Sequence, residues 1–472
     1  MVERTGLLLP LDETFTPADA EVHASFVEAH DGMREAYRQL TVPEQTRADM
    51  ETAFREGRIS NPDLTAQHLD EKILKGQAER LLRWRDGLGA IALDQDIREA
   101  YEARASESIA NVRMLLASNR RDMAGVREQN EFIYGRPDAQ TYRAALDWFG
   151  AQADRYTDHE NPAVADAAQR VVDTIRGQRG DRTLLVPDRA VFEAVRTDHY
   201  REGGYYALLL AGVTIPEGVI RPEAGNPIVE HVVRNNLQSD YVLRAGSGAW
   251  GVVHSEAAVE HPAKYALPKA RFIGLPLGHE VGSHLLEGVN GQRGPIALAG
   301  PGPASGLDRY ELGNEGRAVI REQVVYERFE DFEELIRWRD ILRRYVAIGY
   351  GDGTETDVPH TFADTYAFIN AIDTMYAGLK ETDPIAIADK AHARTWSLLA
   401  RVLKGTDGTG GAYAKDLVYL DGHVRNWRTA AKYGPGVISE GDLGKFDITN
   451  PRHVTLLQGR GLLKPRMEVR NV

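Results

Sequence analysis

His279 and His284 stand five residues apart in the run Gly274-Leu-Pro-Leu-Gly-His-Glu-Val-Gly-Ser-His-Leu-Leu-Glu-Gly-Val-Asn-Gly291, and Glu280 directly follows the first histidine. Two imidazoles with an adjacent carboxylate are residue types that hold a divalent metal and move a proton beside it. The familiar metal-binding spacing is HExxH, in which the histidines lie one turn apart on a shared helix face. Here the motif is HExxxH. In a regular α-helix this longer spacing separates the side chains by roughly 140°, so they cannot grip one ion. A local π-turn, closed by an i→i+5 hydrogen bond, returns them to one face, and such turns cluster at functional sites. Gly282, between the histidines, eases that distortion. The competing reading is a pair of unrelated surface histidines.

A catalytic metal of this kind normally takes three protein ligands. The chain contains no cysteine, so thiolate ligands and disulfides are excluded and the third ligand must be His, Asp or Glu. A second helical run, Asp308-Arg-Tyr-Glu311-Leu-Gly-Asn-Glu315-Gly-Arg-Ala-Val-Ile-Arg-Glu322, supplies a candidate. Asp308 and Glu311 fit a capping box, a structural task for Glu311. Glu315 lies one turn further on, among Gly313, Gly316 and Ala318, small residues that admit a second helix. A carboxylate on such a face is costly unless paired or metal-bound. Glu315 is therefore the expected third ligand.

The elements that must position these groups follow from periodicity. Pro276 fits a first helical turn, and Gly288, Asn290 and Gly291 fit its end. Upstream, residues 17–185 read as helices, with apolar positions at three- and four-residue spacing across 18–40, 67–88 and 94–117. From about residue 184 the runs TLLVP, YYALLLAGVTI, DYVLRAG and WGVVHS predict short strands of a small sheet. Helical texture returns from residue 275 to about 404, followed by a glycine-rich stretch at 405–411, a helix through Val424 and an irregular tail. The glycine stretch lacks the GxxxxGK[ST] phosphate-loop pattern and reads as a flexible connection beside a substrate groove. The Gly/Pro segment 294–306 reads as a mobile lid. These patterns predict an α+β fold, predominantly α, with an N-terminal helical region (1–185) and a catalytic domain (186–472) that contains a small mixed sheet.

Composition narrows the class. A 472-residue chain with 42% hydrophobic and 27% charged residues can build a core larger than one small domain. Its formal net charge of -13 opposes a nucleic-acid partner. Neither a basic, apolar leader nor a membrane-length apolar run occurs, which leads to the expectation of a cytoplasmic protein with no membrane partner.

At this point a resemblance becomes specific. HEVGSHLLEGVNGQ followed by NEGRAV resembles the DUF1704, or QEGLA-motif, family, which includes the MATCAP-type tubulin tyrosine carboxypeptidases. A third feature, Arg401-Val-Leu-Lys-Gly405 with Lys415-Asp-Leu-Val-Tyr419-Leu-Asp-Gly422, is similar to that family's RVxRG and KDxxYLxG motifs, so the likeness spans roughly residues 270–425. The resemblance implies a zincin-like core with Zn2+ held by His279, His284 and Glu315, and Glu280 as catalytic base. It further implies Tyr419 as a donor to the developing oxyanion, and Arg401 and Lys415 as cations for a substrate carboxylate. The implied function is a zinc metallopeptidase of carboxypeptidase type acting on a peptide or protein. An endo- or aminopeptidase that matures a biosynthetic precursor, and a non-catalytic metal-binding regulator, are the alternatives. Asn314 and Arg317 depart from the family pattern, and Arg317 is expected to alter the charge of the groove. His254 is a weaker candidate for supporting the site, ahead of His360 and His392.

Overall fold

A computed structural model describes residues 7–9, 19–33, 40–66, 69–246, 248–302, 304–326, 329 and 336–469. Of the stretches expected to be helical, residues 17, 18, 34–39, 67, 68, 303, 327, 328 and 330–335 lie outside these. The first layer comprises α1 (Ala20–Ala29), α2 (Glu44–Arg55), α3 (Glu71–Gly87), α4 (Gln95–Asn119), α5 (Met123–Tyr134), α6 (Ala139–Ala153) and α7 (Pro162–Thr174). Its helices begin where short polar side chains satisfy the first free N–H groups: Asp70, Asp122, Asp138 and Asn161 each accept from the turn they precede. α4 buries Ile97, Tyr101, Ala105, Ile109, Val112 and Leu115, the helical spacing read from the sequence.

The middle of the chain departs from expectation in two places. TLLVP forms a 3-10 turn at Arg182–Leu185, opened by the Asp181 side chain accepting from Thr183 N. The run YYALLL is helical: α8 (Arg189–Tyr200) is followed by α9 (Tyr205–Leu209), which buries Tyr205, Tyr206 and Leu209. Three- and four-residue burial overrides the strand preference of these residues. After β1 (Val219–Ile220) and α10 (Pro222–His231), the runs DYVLRAG and WGVVHS do supply β2 (Val242–Ala245) and β3 (Gly251–Val253). β4 (Ala258–His261) pairs parallel with β2 and antiparallel with β3, so the sheet is mixed with order β2-β4-β3. β5 (Leu267–Pro268) pairs separately with β1.

α11 then runs continuously through Lys269–Phe272, Ile273–Leu285 and Leu286–Gln292, the middle segment in π geometry. Pro276 is inside this helix rather than in its first turn. The remaining helices are α12 (Glu311–Gln323), α13 (Ile336–Asp352), α14 (Phe362–Gly378), α15 (Pro384–Val402), α16 (Leu417–Tyr433), α17 (Val437–Glu440) and α18 (Pro451–Gly459). The tail expected to be irregular thus carries helix of its own.

α12 and α16 cross at glycine. A β-carbon at Gly316 would lie 2.1 Å from Gly422 C, and one at Gly422 would lie 1.9 Å from Leu312 O. The small residues flanking Glu315 do admit a second helix. The apolar interior is continuous from Leu7 to Leu463, and α7 packs along α14 across the expected division at 185/186. Both segments expected to be mobile are bonded into it. At 405–411, Gly405 N donates to Leu64 O, Leu64 N to Thr406 O, Phe362 N to Gly408 O and Gly411 N to Gly351 O, at 2.8–2.9 Å. At 294–306, Ile296, Leu298 and Ala299 are buried, and Lys445 N donates to Ala299 O at 2.9 Å.

Beneath α11 lies a fully buried charge cluster. Arg317 and Arg321 both engage Asp442, and Arg317 also donates to Glu287 at 2.9 Å. Arg317 is 1% exposed, so it does not set the charge of a groove as expected; it is consumed inside the fold. Removing Asp442 would leave two guanidiniums in the interior with one carboxylate between them. Asp442→Ala is expected to lower stability by about 3–5 kcal/mol, read from urea unfolding of the metal-free protein; a loss near zero would show that water reaches the pair.

Candidate metal centre

The π segment of α11 exists because its carbonyls find other partners. Ser283 Oγ donates to Gly278 O, five residues back, at 2.9 Å. Tyr205 Oη donates to the same carbonyl at 3.3 Å, and Arg321 Nη1 donates to Gly282 O at 2.6 Å. Gly278 and Gly282 also make room for α9: a β-carbon at Gly282 would stand 1.7 Å from Tyr205 Oη, and one at Gly278 2.5 Å from Tyr206 Oη. Gly282 is therefore required for close approach, beyond the backbone ease expected of it.

The widened turn brings the histidines together. Their ring centroids lie 4.9 Å apart with planes at 77°. α12 delivers Glu315 between them, its Oε2 3.5 Å from His279 Nε2 and 3.6 Å from His284 Nε2. Ligand atoms about 2.0–2.1 Å from a tetrahedral zinc stand about 3.3 Å from one another, close to the separations seen. Glu315 Oε2 is buried and makes no hydrogen bond. An orphaned carboxylate oxygen facing two imidazole nitrogens fits a cation. Glu280 is also near: one ligand atom each from His279, Glu280 and His284 falls within a 4.8 Å group, with Glu280 Oε1 3.9 Å from His279 Nε2. Glu315 is nearly equidistant from both rings, which suits a ligand, and leaves Glu280 beside the site.

The outer nitrogens of the rings are held as well. His279 Nδ1 lies 2.6 Å from Glu322 Oε1, a carboxylate–histidine pair of the sort that fixes a ligand's tautomer. Asn314 Nδ2 lies 3.2 Å from His284 Nδ1 and donates to Glu287 Oε1 at 2.8 Å. Burial alone would raise the Glu315 carboxyl, but the His284 and His279 imidazoles hold it well below the usual range. Burial likewise opposes charge on His284, yet Glu315, Glu287 and Glu280 raise it well above an ordinary histidine. The carboxylates thus favour positive charge at His284 and the imidazoles keep Glu315 ionised, a field that also suits a cation.

These groups open into a cleft of about 460 Å³. Trp250, Val252 and His254 line one side, and Arg344, Arg401 and Tyr419 line another. Lys415 is not among the lining residues; its Nζ lies 3.0 Å from Glu311, which is. Arg401 is engaged by Asp416 through Nε at 2.6 Å and Nη2 at 2.8 Å. Glu311 opens α12 with no side-chain cap, and Asp308 instead accepts from Arg452, so the expected capping box does not form. His254 Nδ1 lies 2.8 Å from Tyr241 Oη. Burial, then Lys445 and His284, push His254 down to about 2, so it stays neutral. His360 stacks on Tyr350 and His392 pairs with Tyr366, neither in the cleft lining.

Three contributors escaped the sequence reading. Glu322 had a signal, since it lies two turns beyond Glu315 on the same face of α12. Glu287 lies in the motif itself but offers no fixed spacing to Asn314. Arg344 is brought in by α13 and has no local signature.

About one zinc per chain is expected by elemental analysis, with loss of that zinc in His284→Ala. Glu322→Gln should keep the stoichiometry at saturating zinc but weaken affinity by ~10–100-fold in a chelator competition. Unchanged affinity would remove Glu322 from the centre.

Comparison of the chain with protein-family models, with curated proteins and with solved structures returned no match.

Proposed function

We propose that the chain is a zinc-dependent peptidase with a zincin-like core, allied to the QEGLA-motif family it resembles. The convergence of His279, His284 and Glu315, from two elements and across an unfavourable spacing, carries this reading. A regulator that only bound metal would have no need of Glu280, which is 7% exposed beside the ligands yet further from the ring nitrogens than Glu315.

Zinc would supply Lewis acidity, lowering the pKa of water and polarising a scissile carbonyl. Glu280 accepts a proton from the attacking water at its carboxylate and returns it to the leaving amine. Tyr419, in the cleft lining, is the donor toward charge developing on the carbonyl oxygen. Among the described residues β3 pairs with β4 alone, and Val252 in β3 and Trp250 just before it line the cleft. An extended peptide can add there as a further strand, which favours a peptide substrate.

In the carboxypeptidase form, Arg401 meets the substrate's terminal carboxylate, with Lys415 behind Glu311 adding positive field. The bidentate hold of Asp416 on Arg401 favours a second reading, an endo- or aminopeptidase maturing a precursor, in which no terminal carboxylate is anchored. Incubation with a defined peptide mixture and mass mapping of the products separates them: C-terminal trimming supports the first, internal cleavage the second. Glu280→Gln should retain zinc while turnover falls by at least ~10²-fold. Full activity in that variant would refute the assigned base.

A further inference from the structure

The helix that carries Glu315 does not start from a relaxed turn. Two non-glycine residues in the segment leading to it, Ala304 (φ +63°) and Arg309 (φ +54°), are left-handed. Such residues persist only where their surroundings over-determine them. For Arg309 the surroundings belong to the N-terminal layer. Its backbone N–H donates to Glu107 Oε2 on α4 at 2.8 Å, and its guanidinium donates to Phe132 O in the last turn of α5 while lying 5.9 Å over the Phe132 ring. Glu107 is 9% exposed, and its other oxygen is held by Arg104 Nη1 at 2.6 Å. Arg104 Nε makes a longer contact, 3.5 Å, with the carbonyl of Ala304. One buried ion pair on α4 thus holds both left-handed residues.

The same segment is fastened further back. Asp19 is 1% exposed and accepts from Ala297 N at 3.0 and 3.2 Å, and Tyr101 Oη donates to Asp19 at 2.8 Å. Arg309 is two residues before α12 and six before Glu315, so a shift there turns or slides the helix that sets the 3.5 and 3.6 Å separations.

We propose that Glu107 is a positioning residue of the metal centre, fixing through Arg309 N–H the start of α12 and hence the placement of Glu315. This rests on the metal reading above, and it gives the N-terminal helices a role in the site that their sequence does not show.

The test uses the full chain, Glu107→Ala and Glu107→Gln. Zinc affinity is measured by competition with a chromophoric chelator, ligand geometry by visible absorption of the cobalt(II)-loaded protein, and folding by thermal unfolding without metal. Glu107→Ala should weaken zinc by about tenfold or more and alter the cobalt bands. Glu107→Gln, which retains an acceptor for Arg309 N–H, should lose less. A lowered Tm with parental zinc affinity and cobalt spectrum would mean a structural role only, and would overturn the proposal. Should the alanine variant fail to fold, Glu107→Asp decides, because it keeps the charge but draws the acceptor back from Arg309 N–H: affinity and spectrum indistinguishable from the parent overturn the proposal, and weakened zinc with shifted bands upholds it. A parent chain that binds neither metal fails the metal reading together with the proposal, whereas normal parental binding with unmoved variants fails the proposal alone.

Discussion

A helix wound wide over Ile273–Leu285 needs donors for the carbonyls its register misaligns, and Arg321 gives the one at Gly282. A guanidinium can enter the interior only with a counter-charge, which Asp442 provides. The brace and the proposed third ligand share one rod: α12 carries Glu315 toward the histidines, Arg321 under their helix and Glu322 against the back of His279. The distance between α11 and α12 is therefore set by the same contacts that make the π turn possible. Gly316 and Gly422 then let α16 close on the far side of α12, bringing Tyr419 to the cleft.

The charges around the centre do not cancel. Glu280, Glu287, Glu315 and Glu322 converge on it, whereas Arg317 and Arg321 are shared with Asp442. In a low-dielectric interior such an excess is expensive unless a cation meets it, because each charge pair interacts more strongly there than in water. The raised His284 is an expression of those carboxylates, whereas the depressed Glu315 reflects the two imidazoles that face it. A divalent ion would relieve the excess at the point where the Glu315 oxygen that makes no hydrogen bond faces the rings.

What could be read in advance was local. The HExxxH spacing is geometrically unsatisfiable in an α-helix, so it demanded a π turn, and the π turn is there. Gly313 and Gly316 beside Glu315 signalled a close helix, and α16 is that helix. The failures share a cause. YYALLL has the composition of a strand, but its tyrosines are chosen to cap carbonyls and fill glycine notches on α11 and α12, contacts made only in the folded state. The glycine-rich stretch at 405–411 looks loose because glycine is permissive; it is bonded because Leu64, Gly351 and Phe362 reach it from distant positions. Arg317 differs from the family pattern at a position that sequence places beside the site, yet its side chain points to Asp442.

The segment at 294–306 shows how far the centre depends on distance in sequence. It joins the two helices that bear the candidate ligands, and a free lid there would leave their relative placement to chance. Instead Asp19 fastens Ala297, Glu107 fastens Arg309, and Asn290 at the end of α11 exchanges bonds with Leu7 and Leu9. On the proposed reading, access lies through the cleft that Trp250 and Val252 line, and the connector serves preorganisation: ligands already in place would cost little to order when an ion arrives. It follows that the centre cannot survive in the unfolded chain, where none of these long-range bonds exists. A metal that binds only the native arrangement would add its binding free energy to folding, and the helical layer, the buried charge cluster and the ion would then stabilise one another through a single equilibrium.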